Sequence, residues 1–210
     1  PKMEEKIHKF VKSGKPVISM GTAGILDEEK GIWMDEWADV FDYVRTDSTK
    51  TAYYRYSEGG TELATYSDGI IMKAKDDAEV VCDYVKPYFD KHWDGLHGYF
   101  YTPPEKSEGY TAVARKGNIC HISFKICKTY YEFAPVFHKD LLAKVLELMY
   151  PERMVIPDGI PSYGRISVTN TDDYKLLHVK ITHPEPRGFS NIIEDHTTLP
   201  AGRSVKVIGE

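Results

Sequence analysis

The sequence predicts an α/β domain followed by a small antiparallel β domain. Two observations carry this prediction. Near the start, residues 3–13 have the apolar spacing of a helix, and a short buried strand at 15–20 follows directly. After residue 150 helical spacing stops, and short strand-like segments alternate with turn residues. A helix that feeds a buried strand is typical of layered α/β domains, and a run of short strands is typical of an all-β domain.

The first predicted elements, a helix, a strand and a turn, support the α/β prediction. Gly14 fits the end of the first helix, because glycine accepts the left-handed conformation that often closes helices. The strand at 15–20 then runs into a tight turn, Gly21-Thr22-Ala23-Gly24. The apolar face that defines the helix is formed by Met3, Ile7, Phe10 and Val11.

The middle of the chain predicts further strands and one long helix. An amphipathic stretch lies around 32–41, a hairpin turns at Lys116-Gly117, and Pro151 ends a helix at 137–149. Between the amphipathic stretch and the hairpin lies a loop at 90–108 that is rich in aromatic residues, glycine and proline. The predicted strands of this part are 51–57, 69–74, 79–89, 110–115 and 118–124.

The sequence pattern changes after the helix predicted at 137–149. Pro151, Pro157, Gly159 and Pro161 predict a linker. We therefore place an α/β domain at 1–156 and an antiparallel, sandwich-like β domain at 157–210. The strands expected in the second domain are 164–170, 174–182, 190–194 and 204–208. Because the chain opens inside a helix and offers one parallel strand, we expect the α/β domain to be incomplete at its N-terminus.

Composition excludes several classes of partner. The net charge of the 210 residues is −5, with no basic stripe, so we expect no nucleic-acid partner. No apolar run is long enough to span a bilayer, so we expect no membrane span. Cys82, Cys120 and Cys127 are an odd number without paired spacing. We expect buried, reduced thiols in apolar strands, and hence a cytoplasmic protein.

The turn after the first strand is the first candidate site. In a strand–turn–helix unit such a turn can expose a nucleophile beside helix N–H groups. Gly14–Gly24 resembles this unit of class I glutamine amidotransferases, which carry a cysteine at the turn. Here the turn is Met20-Gly21-Thr22, a degenerate elbow. Thr22 offers a hydroxyl but has no base nearby in sequence, so a structural turn is the favoured interpretation.

The aromatic loop is the second candidate site. His92, Trp93, His97, Tyr99 and Tyr101 combine rings and imidazoles that suit contact with a sugar face or a cleft. The alternative is a loop packed on its own rings. A zinc site is not favoured, because Gly95 interrupts any helix that would place His92 and His97 on one face.

The sequence contains many carboxylates, but neither position nor spacing identifies any of them as catalytic. Glycoside hydrolysis requires a pair of carboxylates flanking the scissile bond. No spacing selects such a pair here, so we predict no catalytic residue, no metal and no cofactor. His121 alternates within a strand and is interpreted as structural. The carboxylates considered are Asp27, Glu28, Glu29, Asp35, Glu36, Glu105, Glu108, Glu194 and Asp195.

Several stretches together resemble the C-terminal region of bacterial glycoside hydrolases of the β-galactosidase type. The family's middle domain has a glutamine amidotransferase-like (flavodoxin-like) three-layer fold, is called the trimerisation domain, and is followed by a closing β domain. The catalytic carboxylates of such enzymes belong to a separate (β/α)₈ barrel. The matching stretches are 14–24, 86–89, 97–104, 109–118, 139–142, 176–179 and 192–196.

The resemblance implies a non-catalytic accessory and oligomerisation part of a galactosidase- or fucosidase-like enzyme. Its expected partners are an N-terminal catalytic domain of the same protein and further copies of itself, with carbohydrate as a candidate ligand. Two alternatives stay open. One is a carbohydrate-binding module that uses the 92–101 loop. The other is a divergent amidotransferase-like hydrolase that uses Thr22 with a histidine from elsewhere.

Overall fold

A computed structural model describes most of the chain. The residues it describes are 2–23, 40–49, 52–67, 69–89, 102–105, 107–160, 164–181 and 204–207. The chain forms two compact units, residues 1–149 and 150–210. The boundary predicted between 156 and 157 falls inside a strand of the second unit, whereas the units divide just after the long helix. No helix in the described ranges is long and apolar enough to cross a membrane.

The first unit is built on an eight-stranded mixed sheet. Its three described helices are α1 (Lys2–Lys12), α2 (Ile126–Phe133) and α3 (Val136–Met149). Its strands are β1 (Val17–Met20), β2 (Phe41–Thr49), β3 (Tyr53–Tyr56), β4 (Leu63–Ala64), β5 (Gly69–Ala74), β6 (Glu79–Val85), β7 (Thr111–Lys116) and β8 (Ile119–Ile122).

The sheet is buried on both faces. Along β5, Ile71 packs into a cluster that includes Leu141 of α3, whereas Ile70 and Met72 pack into a cluster that includes Val11 of α1. Because side chains alternate between the two faces of a strand, these clusters lie on opposite faces of the sheet. Helices therefore cover both faces, as the α/β prediction required.

The direction of the strands differs from the expectation. Within the described ranges β1 pairs with β8 in parallel, and every other ladder of the sheet is antiparallel. A parallel pair needs a crossover connection, whereas hairpins such as β7–β8 close through a two-residue turn. The amidotransferase-like fold is thus not confirmed, and a mixed α/β sheet takes its place.

Most predicted elements of this unit are present. The hairpin turns at Gly117, whose φ of +58° suits glycine. Three elements were missed, namely β2, the short β4 and α2. The predicted amphipathic stretch at 32–41 ends where β2 begins, and its residues 32–39 lie outside the described ranges. Residues 42–49 contain Arg45, two aspartates, two threonines and a serine, and these polar residues obscure the alternation expected of a strand.

The second unit contains two small antiparallel ladders. β10 (Gly164–Asn170) pairs with β11 (Lys175–Ile181), and β9 (Val155–Asp158) pairs with β12 (Ser204–Val207). Three of these strands match the prediction. β9 lies in the predicted linker, where Pro157 argued against a strand, although proline is tolerated in an edge strand. The strand expected at 190–194 lies outside the described ranges.

Candidate functional site

The degenerate elbow closes β1 against β8. The N–H of Gly21 donates to Ile122 O at 2.9 Å, and the N–H of Ala23 donates to Met20 O at 3.2 Å. Gly21 has φ +60°, and a Cβ there would lie 3.2 Å from Cγ of Lys125. Any other residue would be strained in this conformation and would crowd Lys125. The conformation of this turn therefore depends on glycine at position 21.

A buried serine–histidine pair lies directly beneath this turn. Ser19 and His121 are register partners in the parallel ladder, and Ser19 Oγ lies 2.7 Å from Nδ1 of His121. The Nε2 atom of His121 lies 3.1 Å from Gly21 O. Because a carbonyl can only accept, Nε2 carries the hydrogen, and Nδ1 accepts the hydrogen bond from the Ser19 hydroxyl. Sequence reasoning missed this pair, since the partners are 102 positions apart.

The pair has the atoms of a nucleophile and a base, but its environment opposes that chemistry. His121 is fully buried, and Ser19 is 8% exposed. Burial lowers the pKa of His121 to about 4, against the opposing effect of the hydrogen bond to Gly21 O. A base with so low a pKa is a weak acceptor for a serine proton near pH 7. The arrangement instead joins β1, β8 and the turn, which agrees with the structural role predicted for His121.

Thr22 does not join this pair. Its side chain is exposed, and no histidine or carboxylate in the described ranges forms a hydrogen bond with it. The histidine that reaches the elbow bonds to the backbone of Gly21 instead. The described residues therefore bring Met20, Gly21 and Thr22 together as a turn without assembling a catalytic group around the Thr22 hydroxyl.

A second buried histidine repeats the same bonding pattern. Nε2 of His138 lies 3.2 Å from Ala64 O, and Nδ1 lies 3.2 Å from Oγ1 of Thr129. Burial lowers the pKa of His138 to about 4, although the bond to Ala64 opposes the shift. His138 thereby connects α3, α2 and the end of β4. Its spacing is the sequence signal that could have found it, because His138 lies three residues before Leu141 and seven before Val145, on the buried face of α3.

The remaining predicted site residues fall into two groups. His92, Trp93, His97, Tyr99 and Tyr101 lie outside the described residues. So do most of the carboxylates considered, whereas Glu105 and Glu108 are exposed, and Glu108 forms an ion pair with Lys86 at 2.6 Å. Among the described residues, no group of three His, Cys, Asp or Glu side chains is placed to hold a metal ion.

The cysteines require one correction. Cys82 and Cys120 are buried, and burial raises the pKa of both thiols, that of Cys120 to about 12. Cys127, predicted to be a buried strand residue, is exposed and lies in α2. The apolar neighbours that suggested a strand belong to the helix, whose buried face carries Ile126 and Thr129.

Comparison with known proteins gives one likeness of fold. No family model and no curated protein matches the sequence. The structure is similar to α-L-fucosidase isoenzyme 2 from Paenibacillus thiaminolyticus, with a TM-score of 0.70 and 16% identity. The likeness covers 88% of this chain and 29% of the fucosidase chain. The described protein is thus a mixed α/β fold related in architecture to part of a glycoside hydrolase chain.

Proposed function

We propose that this chain is a non-catalytic accessory and oligomerisation part of a galactosidase- or fucosidase-like glycoside hydrolase. The fold likeness carries the proposal, because the chain spans less than a third of the fucosidase chain it resembles. In this proposal a separate catalytic barrel of the same protein holds the acid and base carboxylates. The chain supports that barrel and contacts further copies of itself.

The geometry of the elbow favours this proposal over the amidotransferase-like alternative. A covalent hydrolase needs a nucleophile that substrate can reach and a base that can accept its proton. Ser19 and His121 are buried against each other, whereas Thr22 is exposed and has no hydrogen bond to a histidine among the described residues. The relation to amidotransferase-like trimerisation domains belongs to the same proposal and is supported by the strand–turn arrangement at 17–23.

An activity assay of the purified chain tests the non-catalytic role. We expect no turnover of p-nitrophenyl α-L-fucoside or p-nitrophenyl β-D-galactoside at any enzyme concentration. Turnover that survives further purification would contradict the proposal. In that case Ser19→Ala and Thr22→Ala would show which hydroxyl is responsible, and Thr171→Ala, a surface change in the second unit, would serve as the matched control.

Sedimentation velocity tests the oligomerisation role separately. The proposal expects a concentration-dependent assembly larger than the 24.0 kDa chain. A single species of monomer mass across the micromolar range would remove oligomerisation from the proposal and leave the accessory role to be judged by the activity assay.

A further inference from the structure

Three aromatic rings form a partly exposed cluster in the first unit, which we call the Tyr66 platform. It consists of Tyr66, Phe133 and Phe137. The centroid of the Tyr66 ring lies 5.9 Å from that of Phe133 and 6.1 Å from that of Phe137, and the second pair is stacked. Tyr66 is 54% exposed and Phe133 is 62% exposed, so both rings keep much of their surface open.

The exposure of Phe133 is unexpected for its position in the sequence. It lies four residues after Thr129 and seven after Ile126, so it continues the face of α2 that is buried in the core. Such a position is ordinarily covered. Here its described ring contact is with Tyr66, which is itself exposed.

The exposed position of Tyr66 is accompanied by a strained backbone conformation. Tyr66 has φ +53°, a left-handed conformation that costs a non-glycine residue roughly 1–2 kcal/mol. The preceding residue keeps it there, because the N–H of the fully buried Thr65 donates to Ala52 O at 2.9 Å and its hydroxyl lies 2.8 Å from Ser67 O. Strain retained in this way is concentrated at functional positions in proteins.

Two further contacts fix the other parts of the platform. Ala134, which follows Phe133, also has a positive φ of +47°, and its N–H donates to Tyr130 O at 2.9 Å to end α2. Beneath the rings, His138 lies 5.0 Å from the Phe137 centroid in an edge-to-face contact and bonds to Ala64 O. Of the two non-glycine residues with positive φ in the described ranges, Tyr66 therefore belongs to the platform and Ala134 directly follows Phe133. These contacts position the rings in the absence of a ligand, and such pre-positioning lowers the entropic cost of binding.

The size of the platform favours a small ligand over a protein partner. A complete Tyr or Phe side chain presents roughly 200 Å², so the exposed parts of Tyr66 and Phe133 amount to about 200–250 Å². A stable protein interface buries about 800 Å² on each partner. The platform alone is much too small for that, whereas it matches the face of one or two six-membered rings.

The chemistry of the platform favours a neutral sugar. Aromatic faces carry negative quadrupole charge, which attracts the polarised C–H bonds on the apolar face of a pyranose. The Tyr66 hydroxyl can both donate to and accept from sugar hydroxyl groups. A nucleotide would also stack, but the chain carries a net charge of −5, which disfavours a phosphate-bearing ligand.

We infer that Tyr66, Phe133 and Phe137 form a sugar-stacking site in the first unit. The choice of sugar as the ligand rests on the proposed function, whereas the existence of a stacking site rests on the platform itself. The site is separate from the aromatic loop at 92–101, which the sequence alone suggested as the sugar contact.

Saturation-transfer NMR on the whole 210-residue chain tests the inference, with the methyl glycosides of L-fucose and D-galactose as probes at millimolar concentration. Irradiation of the aromatic protons should transfer saturation to C–H protons on one face of the sugar ring. Tyr66→Ala and Phe133→Ala should each weaken binding by about tenfold. Tyr66→Phe keeps the ring and should retain most of the affinity.

Tyr131→Ala provides the matched control. Tyr131 lies in the same helix as Phe133 and is 80% exposed, so its loss should leave sugar binding unchanged. Circular dichroism should show that all four variants keep the fold, because the altered side chains are largely exposed.

Two results would overturn the inference. These are no saturation transfer to either glycoside, with or without transfer to adenosine, and binding that persists unchanged in Tyr66→Ala. A concentration-dependent self-association that Tyr66→Ala abolishes, without any sugar effect, would assign the platform to a protein contact instead. Failure here leaves the accessory role standing, and hydrolysis of chromogenic glycosides by the chain would contradict that role without affecting the stacking result.

Discussion

At the scale of single residues, two non-glycine positions in the described part of the chain, Tyr66 and Ala134, have the strained left-handed backbone conformation. Ala134 ends α2 in the left-handed conformation, with φ +47°. Glycine is the usual residue at such a position because it has no Cβ to clash with the backbone. The strain at Ala134 is open to a direct test, since its own side chain is only a methyl group.

We expect Ala134→Gly to raise the free energy of unfolding by roughly 1 kcal/mol. The matched control is Ala143→Gly, an exposed position inside α3, which should lower it by about 1 kcal/mol because glycine disfavours a helix interior. Urea denaturation of both variants measures the two effects. Destabilisation by both changes would contradict the left-handed cap at Ala134.

The three thiols should differ sharply in reactivity. Cys127 is exposed, whereas Cys82 and Cys120 are buried and their pKa values are raised, so their thiolates are scarce near pH 7. Ellman's reagent should therefore modify one thiol rapidly in the native protein and all three after denaturation. Cys127→Ser should remove the rapid phase, and two rapid thiols in the native protein would contradict the buried placement of the other two.

At the scale of elements, two buried histidines connect parts of the first unit that are distant in sequence. His121 joins β1 to β8, and His138 joins α3 to the end of β4. Each donates from Nε2 to a backbone carbonyl and has a hydroxyl beside Nδ1, Ser19 Oγ at 2.7 Å for His121 and Thr129 Oγ1 at 3.2 Å for His138, so the neutral ring has a polar neighbour at both nitrogens. Protonation in the folded state would place a charge in the core, which is why burial depresses both pKa values.

This bonding predicts acid sensitivity. The folded-state pKa of each histidine is about 4 and the ordinary value is 6.5, so between these pH values the unfolded chain binds protons that the folded chain does not. Stability is therefore complete above pH 6.5 and falls by roughly 1.4 kcal/mol per pH unit for each histidine as the pH drops towards 4. Urea midpoints measured from pH 7 to pH 4.5 check this dependence.

Single variants separate the contributions of the two histidines. His121→Gln and His138→Gln should each be less stable at pH 7, and each should show a shallower pH dependence than the parent protein. His178→Gln removes an exposed histidine of β11 and should keep the parental slope. Parallel pH curves for the parent, His121→Gln and His138→Gln would contradict the burial of neutral imidazoles.

At the scale of the whole molecule, the two units differ in their degree of burial. The first contains a sheet with both faces covered, including fully buried Tyr54, Tyr84 and Phe124. At residues 150–160 and 164–180, where side-chain burial is described, no side chain is fully buried, and the ladders have two strands each. Two-stranded ladders are of marginal stability in water.

Hydrogen exchange should reflect that difference. We expect amides of β6, β7 and β8 to be the most protected, because their hydrogen bonds open only when the core of the first unit unfolds. Amides of β10 and β11 should exchange orders of magnitude faster. Exchange measured by mass spectrometry on peptic fragments gives both rates, and equal protection in the two regions would contradict the division of burial described here.

The sequence by itself determined much of the local structure. The spacing at 3–13 and 137–149 predicted two helices, the Lys116-Gly117 turn predicted the β7–β8 hairpin, and strands were predicted at β5, β10 and β11. These features depend on contacts between near neighbours, so periodicity and turn chemistry reveal them. The α/β class followed from the same patterns.

Only the tertiary structure decided the direction of the strands and the residues that meet at the elbow. Ser19 pairs with His121, and Ala64 with His138, across separations of 102 and 74 positions. The Tyr66 platform likewise joins a strained loop residue to the ends of two helices. Such contacts depend on how a mixed sheet is ordered, and no local pattern encodes that order, because side-chain alternation is the same in parallel and antiparallel strands.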